Sequence, residues 1–410
     1  MEKSQCRTFA SKYGNILDLA MVEVPVDVVM ALIQYYDPPL SCFTFRNFQL
    51  APTIEEFEEI MRCPLGDKKP YMFLGHHPAV SKVVSVLAVE EHELIKKKQN
   101  KNGVEGFPLS YLEGIARLLA ARGNWETFMD ALATMLYGIV LFSRCEEFIE
   151  FAAIDAFLAF KHRGESFVVS ILADVLHTLN VCHAKKGEKV LCCVQVLYVW
   201  LVTTILKQAD GSFCPFENFR NCFSKNDINW QSYLACLEES KIIWCSKWKN
   251  VSKMIWHYGN FPNVPLMGTR ACISYNPILG MRQHGYPIRG APLENAITPF
   301  LIPSLSLENG EMLAKVRRAW DKMIKKALTI KSKEDVEGSY KQWLQRRVHT
   351  IGLPIPEWGM NIEEDGELPQ NLEEVLRLEA TLEKMKNEKE KLRETLEETK
   401  VEKRGFKNVR

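Results

Sequence analysis

The chain has 410 residues, 47% of them hydrophobic, and carries 52 basic against 51 acidic side chains. This composition is typical of a folded protein with a sizeable core. The formal net charge of +1 provides no chain-wide field that would attract nucleic acid or an anionic membrane, so any such binding must be local.

Twelve cysteines lie at irregular spacing, and the chain begins without the pattern of a signal peptide. We therefore expect reduced thiols in an intracellular protein of the nucleus or cytoplasm. The apolar run from Val190 to Leu206 contains Gln195, Thr203 and Thr204 and is slightly short for a membrane span, which needs about 20 residues. We interpret it as a buried helix and predict no membrane contact.

Three signals mark the N-terminal part of the fold. Pro25 precedes the apolar positions of a short helix, and the segment from Cys42 to Leu50 alternates as a short strand does. Thr53 and Glu56 form a capping box, which predicts that a helix starts there. Farther along, the segment from Asn100 to Gly106 is polar and contains glycine, which is typical of an exposed loop.

The stretch from Trp125 to Phe160 is predicted to anchor the core. After the N-cap residue Asn124, apolar residues recur at three- and four-residue spacing, stop at a polar break and recur again, and Gly164 offers a C-terminal stop. This pattern predicts two closely packed helices. Their apolar positions are Phe128, Leu132, Met135, Leu136, Ile139, Phe148, Phe151, Ile154, Phe157 and Leu158.

The C-terminal half changes character at Gly259. From there to Pro303, repeated prolines forbid a long uninterrupted helix, so we expect an extended loop region. Two helices should follow, one with Leu313 and Ile324 on its apolar face and the other with Leu344. The sequence thus predicts one mainly α-helical, multi-helix globular domain over residues 1–352, with a short N-terminal β element.

The end of the chain is predicted to form a coiled-coil helix. Residues 353–370 have the composition of a linker, residues 406–410 form a short tail, and residues 371–405 between them repeat apolar side chains every 3.5 positions. The predicted partner is a second copy of the chain or another coiled-coil protein. Lys389 interrupts the seam, and a solitary charged helix is the alternative. The seam consists of Val375, Leu378, Leu382, Met385, Leu392 and Leu396.

Two segments combine basic with aromatic residues and are candidates for nucleic-acid binding. They are Lys241 to Tyr258, which contains three tryptophans, and a predicted helix from Lys315 to Lys331. Aromatic stacking with phosphate contacts is a known binding mode, but the same spacing also suits a buried helical stripe with a solvated lysine face. The candidate contacts are Lys247, Lys249, Lys253, Arg317, Arg318 and Lys322.

Enzyme signatures are absent from the sequence. None of the patterns typical of a P-loop, a nucleophile elbow or a zincin occurs. The densest set of possible metal ligands lacks the paired spacing of a zinc site; it comprises His177, Cys182, His183, Cys192 and Cys193. We predict no catalytic residues, no cofactor and no metal, although an active site dispersed along the chain would leave no such motif.

Several blocks follow one another in a single colinear order. They are Asp37-Pro38, Phe43 to Phe45, Phe48 to Glu56, Leu136 to Phe142, Ile171 to Asp174, Asn263 to Gly268, Arg282 to Pro287, and Tyr340 to Trp343 with Arg346. Together they resemble a plant domain of unknown function that is frequent in retrotransposon-like open reading frames and related to the aminotransferase-like plant mobile domain. The resemblance implies a link to mobile elements but carries no agreed activity or binding residues.

From these observations we predict a non-enzymatic protein-interaction or assembly module that self-associates through its C-terminal coiled coil. The alternative is a nucleic-acid-binding protein that uses residues 241–258 and 315–331.

Overall fold

The fold is described from a computed structural model, which covers residues 1–185, 189–206, 228–242, 244, 251, 253–286, 288, 290–298, 300–327, 338–351 and 353. By their contacts the residues divide into two compact units, Met1–Ile355 and Pro356–Arg410. The description below concerns the first unit. The predicted coiled coil at 371–405, the tail and the linker after Leu353 lie outside the described residues.

The first unit is mainly α-helical, as predicted. Short turns of 3-10 helix occur at Pro38–Leu40, Glu239–Lys241, Pro277–His284 and Leu307–Asn309. The helices are α1 (Lys3–Tyr13), α2 (Ile16–Ala20), α3 (Val26–Ile33), α4 (Ile54–Met61), α5 (Val80–Leu87), α6 (Glu91–Lys97), α7 (Leu109–Ala121), α8 (Trp125–Leu136), α9 (Phe151–Leu158), α10 (Val168–Ala184), α11 (Val194–Ile205), α12 (Trp230–Ala235), α13 (Glu294–Ile297), α14 (Gly310–Trp320) and α15 (Gly338–Ile351).

Within the described residues, the first unit also contains four small antiparallel sheets. In spatial order they are β1-β2-β3, β4-β5-β6, β10-β9-β8 and the pair β11-β7. The strands are β1 (Tyr36–Asp37), β2 (Cys42–Thr44), β3 (Gln49–Leu50), β4 (Gln99–Lys101), β5 (Val104–Pro108), β6 (Phe148–Glu150), β7 (Lys253–Tyr258), β8 (Val264–Met267), β9 (Cys272–Tyr275), β10 (Leu301–Ile302) and β11 (Met323–Ala327).

The predicted helix pair at 125–160 is confirmed, with three differences in detail. Helix α8 continues into a π-helical turn at Tyr137–Leu141, and α9 continues into another at Ala159–Arg163 that ends at Gly164 with a left-handed φ of 65°. Phe148 belongs to strand β6 rather than to a helix. Ile139, predicted as a core position, is 38% exposed.

The centre of the core is formed by α10 and α11. Both pack against α4, and α10 also packs against β8 and β9. The predicted buried helix at 190–206 is confirmed as α11, whose Trp200 is fully buried. Within the described residues, no helix has the length and apolar character that crossing a membrane requires.

The predicted N-terminal β element and capping box are both present. Residues 42–50 form β2 and β3, and Thr53 caps α4. The Thr53 hydroxyl accepts a hydrogen bond from the amide of Glu56 at 3.2 Å, while the Glu56 carboxyl accepts one from the amide of Thr53 at 3.1 Å. This exchange satisfies two helix-terminal donors at once.

The Glu56 carboxyl also joins three elements of the core. Its Oε2 atom accepts a hydrogen bond from Trp200 Nε1 of α11 at 2.8 Å, and both oxygens accept from Gln283 Nε2 at 2.9 and 3.0 Å. Gln283 in turn bonds both backbone groups of Ala51. The block ending at Glu56 and the block starting at Arg282 are therefore adjacent in space.

Two further pairs of blocks meet in the same way. Asp174 of α10 accepts hydrogen bonds from the amide and hydroxyl of Thr269, and a Cβ at Gly268 would collide with the same carboxylate, so the turn after β8 requires glycine there. At the other end, Arg347 of α15 donates two hydrogen bonds to the carboxylate of Asp37, which has no solvent exposure. These hydrogen bonds thus connect segments that are distant in sequence.

Two loop predictions are wrong. The segment at 100–106 forms the hairpin of β4 and β5, in which Gln99 lies opposite Gly106, and β5 pairs with β6. The proline-rich region at 259–303 contains the sheet β10-β9-β8, whose Pro265 lies within β8. In both cases the strands are stabilised by partners that local composition does not reveal.

Candidate nucleic-acid interface

Parts of the two predicted basic segments are paired in one small sheet. Strand β7 runs antiparallel to β11, with Met323 opposite Tyr258 and Lys326 opposite Met254. Helix α14 ends at Trp320, so the predicted helix at 315–331 is wrong for residues 321–327, and residues 328–331 lie outside the described part of the chain. The alternative interpretation of 241–258 as a buried helix is likewise wrong for residues 253–258, which form strand β7. Pairing between segments distant in sequence overrides the local helical periodicity.

We name the surface of this sheet and its adjoining turn the basic–aromatic ribbon. Lys253, Lys322, Ile324 and Lys326 are exposed, and Trp256 and Tyr258 are half-buried. Lys325 is also exposed and donates a hydrogen bond to the Gly66 carbonyl. Phe261, in the turn after β7, is 53% exposed. The basic–aromatic ribbon consists of Lys253, Trp256, Tyr258, Phe261, Lys322, Ile324 and Lys326.

The rings of the ribbon are ordered by their neighbours. Lys326 Nζ lies 4.3 Å from the centre of the Trp256 ring, which is close enough for a cation–π contact. The rings of Tyr258 and Phe261 are stacked, with centres 5.4 Å apart and planes 17° from parallel. The ribbon therefore places one ammonium group, that of Lys326, beside the half-buried Trp256, and cations together with aromatic rings are the combination that binds single-stranded nucleic acid.

The charge of the ribbon is positive. Among the described residues, no carboxylate forms an ion pair with Lys253, Lys322 or the nearby exposed Arg318. The adjacent Asp321 lies 3.8 Å from Lys69 and is partly neutralised by it. A local excess of cations therefore exists although the chain as a whole is nearly neutral.

Of the six predicted contacts, two belong to the ribbon. Arg317 Nη1 donates a hydrogen bond to the carbonyl of Phe73 at 2.7 Å, so its side chain holds α14 in place instead of facing solvent. Lys247 and Lys249 lie outside the described residues. Lys253 and Lys322 belong to the ribbon, and Arg318 is exposed on the neighbouring α14.

The ribbon is attached to the core through α4. The amide of Ile255 donates a hydrogen bond to Glu55 Oε1 at 2.6 Å. Burial raises the pKa of Glu55 to about 7, and the hydrogen bond from Ile255 opposes this shift. Burial and the neighbouring Glu55 raise the pKa of Glu58 to about 8, while Lys325 opposes it. Both carboxyl groups are thus partly neutral near pH 7 and subtract little from the positive potential.

The sequence contained a signal for this strand. Residues 253–258 include Ile255, Trp256 and Tyr258, which favour strands, and the segment is bounded by Gly259. The three tryptophans spaced at four and eight residues led instead to a helical interpretation. Phe261 and Ile324 gave no separate indication of a surface role, because their exposure depends on the turn and on the pairing.

The described residues contain no group of three or more His, Cys, Asp or Glu side chains placed to hold a metal ion. Of the sequence candidates, Cys192 and Cys193 are buried, and burial raises the pKa of each thiol to about 12. They are protonated core side chains at neutral pH.

The fold and this surface define a mainly α-helical domain that presents a basic and aromatic two-stranded sheet. The sequence profile of a family described as a domain of unknown function (DUF7745) matches residues 1–349, and the chain belongs to this family. Neither a curated protein nor a solved structure matches the chain significantly.

Proposed function

We propose that this protein is a non-enzymatic assembly module related to plant mobile elements, whose folded domain binds single-stranded nucleic acid and whose C-terminal segment joins copies of the chain. The link to mobile elements and to the plant mobile domain is supported by the colinear blocks between residues 37 and 346. The blocks that pair in the fold use their buried polar side chains to bind one another. This is the pattern expected of a scaffold.

Nucleic-acid binding is supported by one observation, the pairing of β7 with β11. Two basic segments that are distant in sequence form one sheet, and Lys326 lies beside the Trp256 ring. Phosphates would contact Lys253, Lys322 and Lys326, while bases would stack on Tyr258 and Phe261. Stacking of this kind tolerates any sequence, so we expect weak base preference.

We expect affinity for an unstructured RNA of about 20 nucleotides to fall steeply with salt, because each neutralised phosphate releases counterions. Each lost phosphate contact lowers the log–log salt slope by about 0.7 for a single strand. The double variant Lys322→Ala/Lys326→Ala should therefore reduce the slope by about 1.4. Fluorescence anisotropy of the labelled RNA between about 50 and 200 mM salt measures this.

The matched control is Lys82→Ala/Lys96→Ala, which removes two exposed lysines from α5 and α6. It should leave the slope within error of the wild-type value. A second variant, Phe261→Ala, removes a stacking ring and should weaken binding by about 1 to 3 kcal/mol at every salt concentration. Affinity that stays flat with salt, or that falls equally in the control, would disprove the nucleic-acid proposal.

Self-association is supported by the heptad pattern of residues 371–405. Val375, Leu382 and Leu396 occupy one core position of the repeat, and Leu378, Met385 and Leu392 occupy the other. Lys389 at a core position costs stability but can restrict strand number and register, and Glu388 can pair with Arg393 of a second copy in a parallel dimer. A parallel dimer is the arrangement we propose.

We expect the full chain to sediment as a dimer at micromolar concentration and the variant Leu382→Ala/Leu392→Ala to sediment as a monomer, because truncation of two seam residues removes the apolar contact between helices. Lys384→Ala/Asn387→Ala, which changes two positions outside the seam, should remain dimeric. Sedimentation equilibrium decides the matter. A wild-type monomer, or a dimer that both double variants leave intact, would rule out this seam.

A further inference from the structure

A second feature of the domain is a polar cavity of about 510 Å³ beside the C-terminal half of α10. Helix α10 contributes His177 and Thr178 to its wall, the turn after β8 contributes Arg270, and the segment before β6 contributes Arg144. The segment at 303–306 supplies two serine hydroxyls. A volume of this order is typical of sites for small molecules.

Arg270 is held in place by the backbone and side chains around it. Its Nη2 atom donates hydrogen bonds to the Thr178 hydroxyl at 2.8 Å and to the Leu191 carbonyl, and its Nε atom lies 3.9 Å from Asp174. Within the described part of the chain, no acceptor bonds its Nη1 atom. The guanidinium is therefore fixed before any ligand arrives, and one of its nitrogens keeps unused donors.

Arg144 supplies the second cation. Its Nη1 atom lies 3.6 Å from Glu150 Oε2, and its side chain is 43% exposed. Glu150 is almost fully buried, and neither of its carboxyl oxygens has a hydrogen-bond partner among the described residues. Burial raises the pKa of Glu150 to about 7, with Arg144 opposing the shift. Near neutral pH this acid therefore cancels only part of the arginine charge.

His177 lines the same wall with its imidazole ring. Its Nδ1 atom is buried and has no hydrogen-bond partner among the described residues. Burial, followed by repulsion from Arg270, lowers the pKa of the imidazole, so the ring is neutral at pH 7. Because Nδ1 is closed off from the cavity, a ligand would contact the part of the ring that lines the cavity wall.

We propose that this cavity binds a small oxyanion-bearing molecule, a phosphate ester or a carboxylate, between Arg144 and Arg270, with the His177 imidazole lining the site and donating a hydrogen bond to it. Arg144 presents a planar donor pair that matches carboxylate and phosphate oxygens, and Arg270 offers the donors of its Nη1 atom. The hydroxyls of Ser304 and Ser306 lie at the same cavity and suit a polar remainder of the ligand. The site is independent of the basic–aromatic ribbon, since the two share no residue.

The test is isothermal titration calorimetry of the full chain with inorganic phosphate and with citrate, at ionic strength held constant with chloride. We expect saturable one-to-one binding of at least one of these probes.

Arg144→Ala and His177→Ala should each weaken the binding of that probe by about tenfold or more, as expected for loss of a charge-assisted hydrogen bond. Arg318→Ala, which removes an exposed arginine away from the cavity, should leave the affinity unchanged. Tighter binding of phosphate would identify a phosphate ester as the ligand class, and tighter binding of citrate a carboxylate.

Conservative variants keep the test decisive if a truncation unfolds the chain. Arg144→Lys retains a charge but loses the planar donor pair, and His177→Gln retains a donor of similar size, so both should fold and bind more weakly than the wild type. Absence of saturable binding of both probes to the wild-type chain would overturn the proposal. Equal affinity of the wild type and of folded Arg144 and His177 variants would overturn it as well.

Discussion

Replacing Glu56 with alanine should lower the free energy of unfolding by about 3 to 5 kcal/mol. The carboxyl group is fully buried and accepts hydrogen bonds from Trp200 Nε1, from Gln283 Nε2 and from the amide of Thr53. Its removal leaves these donors without their partner in the core and opens a cavity where the side chain stood. Urea denaturation followed by circular dichroism measures the change.

The control for this variant is Glu126→Ala. That carboxylate lies in the first turn of α8, is 80% exposed and pairs with Lys12 at 3.4 Å. Exposed pairs of this kind contribute about 0 to 1 kcal/mol, so the control should remain close to the wild type. Glu56→Gln keeps the side-chain volume but places an amide group beside the amide of Gln283. Its free energy of unfolding should therefore lie between those of Glu56→Ala and Glu126→Ala. Equal stability of Glu56→Ala and Glu126→Ala would show that the hydrogen bonds of the Glu56 carboxyl do not stabilise the fold.

The second large effect is expected at Arg347. Its Nε atom donates a hydrogen bond to Asp37 Oδ2 at 2.8 Å, and its Nη2 atom bonds the other oxygen of the same carboxylate. Asp37 has no solvent exposure, and its other polar neighbour is the Thr44 hydroxyl at 3.4 Å. Arg347→Ala therefore leaves a buried carboxylate without its cation, which should cost about 3 to 5 kcal/mol.

Arg346→Ala provides a neighbouring control, because Arg346 is exposed on the same helix. A double-mutant cycle with Asp37→Asn separates the pair from the rest of the helix: the double variant should be less destabilised than the sum of the two single variants. Limited proteolysis should also release α15 more readily in Arg347→Ala. Two single effects that simply add, with Arg346→Ala as damaging as Arg347→Ala, would show that this ion pair does not hold the helix.

The resemblance blocks acquire a physical meaning from these contacts. The sequence pointed to Arg346 in the closing block, whereas the neighbouring Arg347 bonds Asp37 in the opening block. Tyr340 of the same helix donates a hydrogen bond to Gln49 at 2.7 Å. The first and last blocks therefore stabilise each other, although some three hundred residues separate them.

Local chemistry determined the parts of this fold that depend on neighbours along the chain. The capping box at Thr53 and Glu56 predicted the start of α4, the apolar spacing predicted α8, α9 and α11, and Gly164 predicted the end of a helix. These signals work because a helix closes its hydrogen bonds within four residues and buries one periodic face. The mainly α-helical character follows from them.

Apart from the predicted β element at 42–50, only the tertiary structure decided the strands and the way in which both candidate sites are assembled. Residues 323–327 have helical spacing in the sequence but pair with 253–258, and residues 99–108 form a hairpin that the composition alone assigned to a loop. Likewise, Arg144, His177 and Arg270 come from three separate segments and meet only around the folded cavity. A strand forms hydrogen bonds with a segment that can be distant in sequence, and a binding site is built from side chains that are distant in sequence too. Neither is therefore fixed by the spacing of residues within one segment.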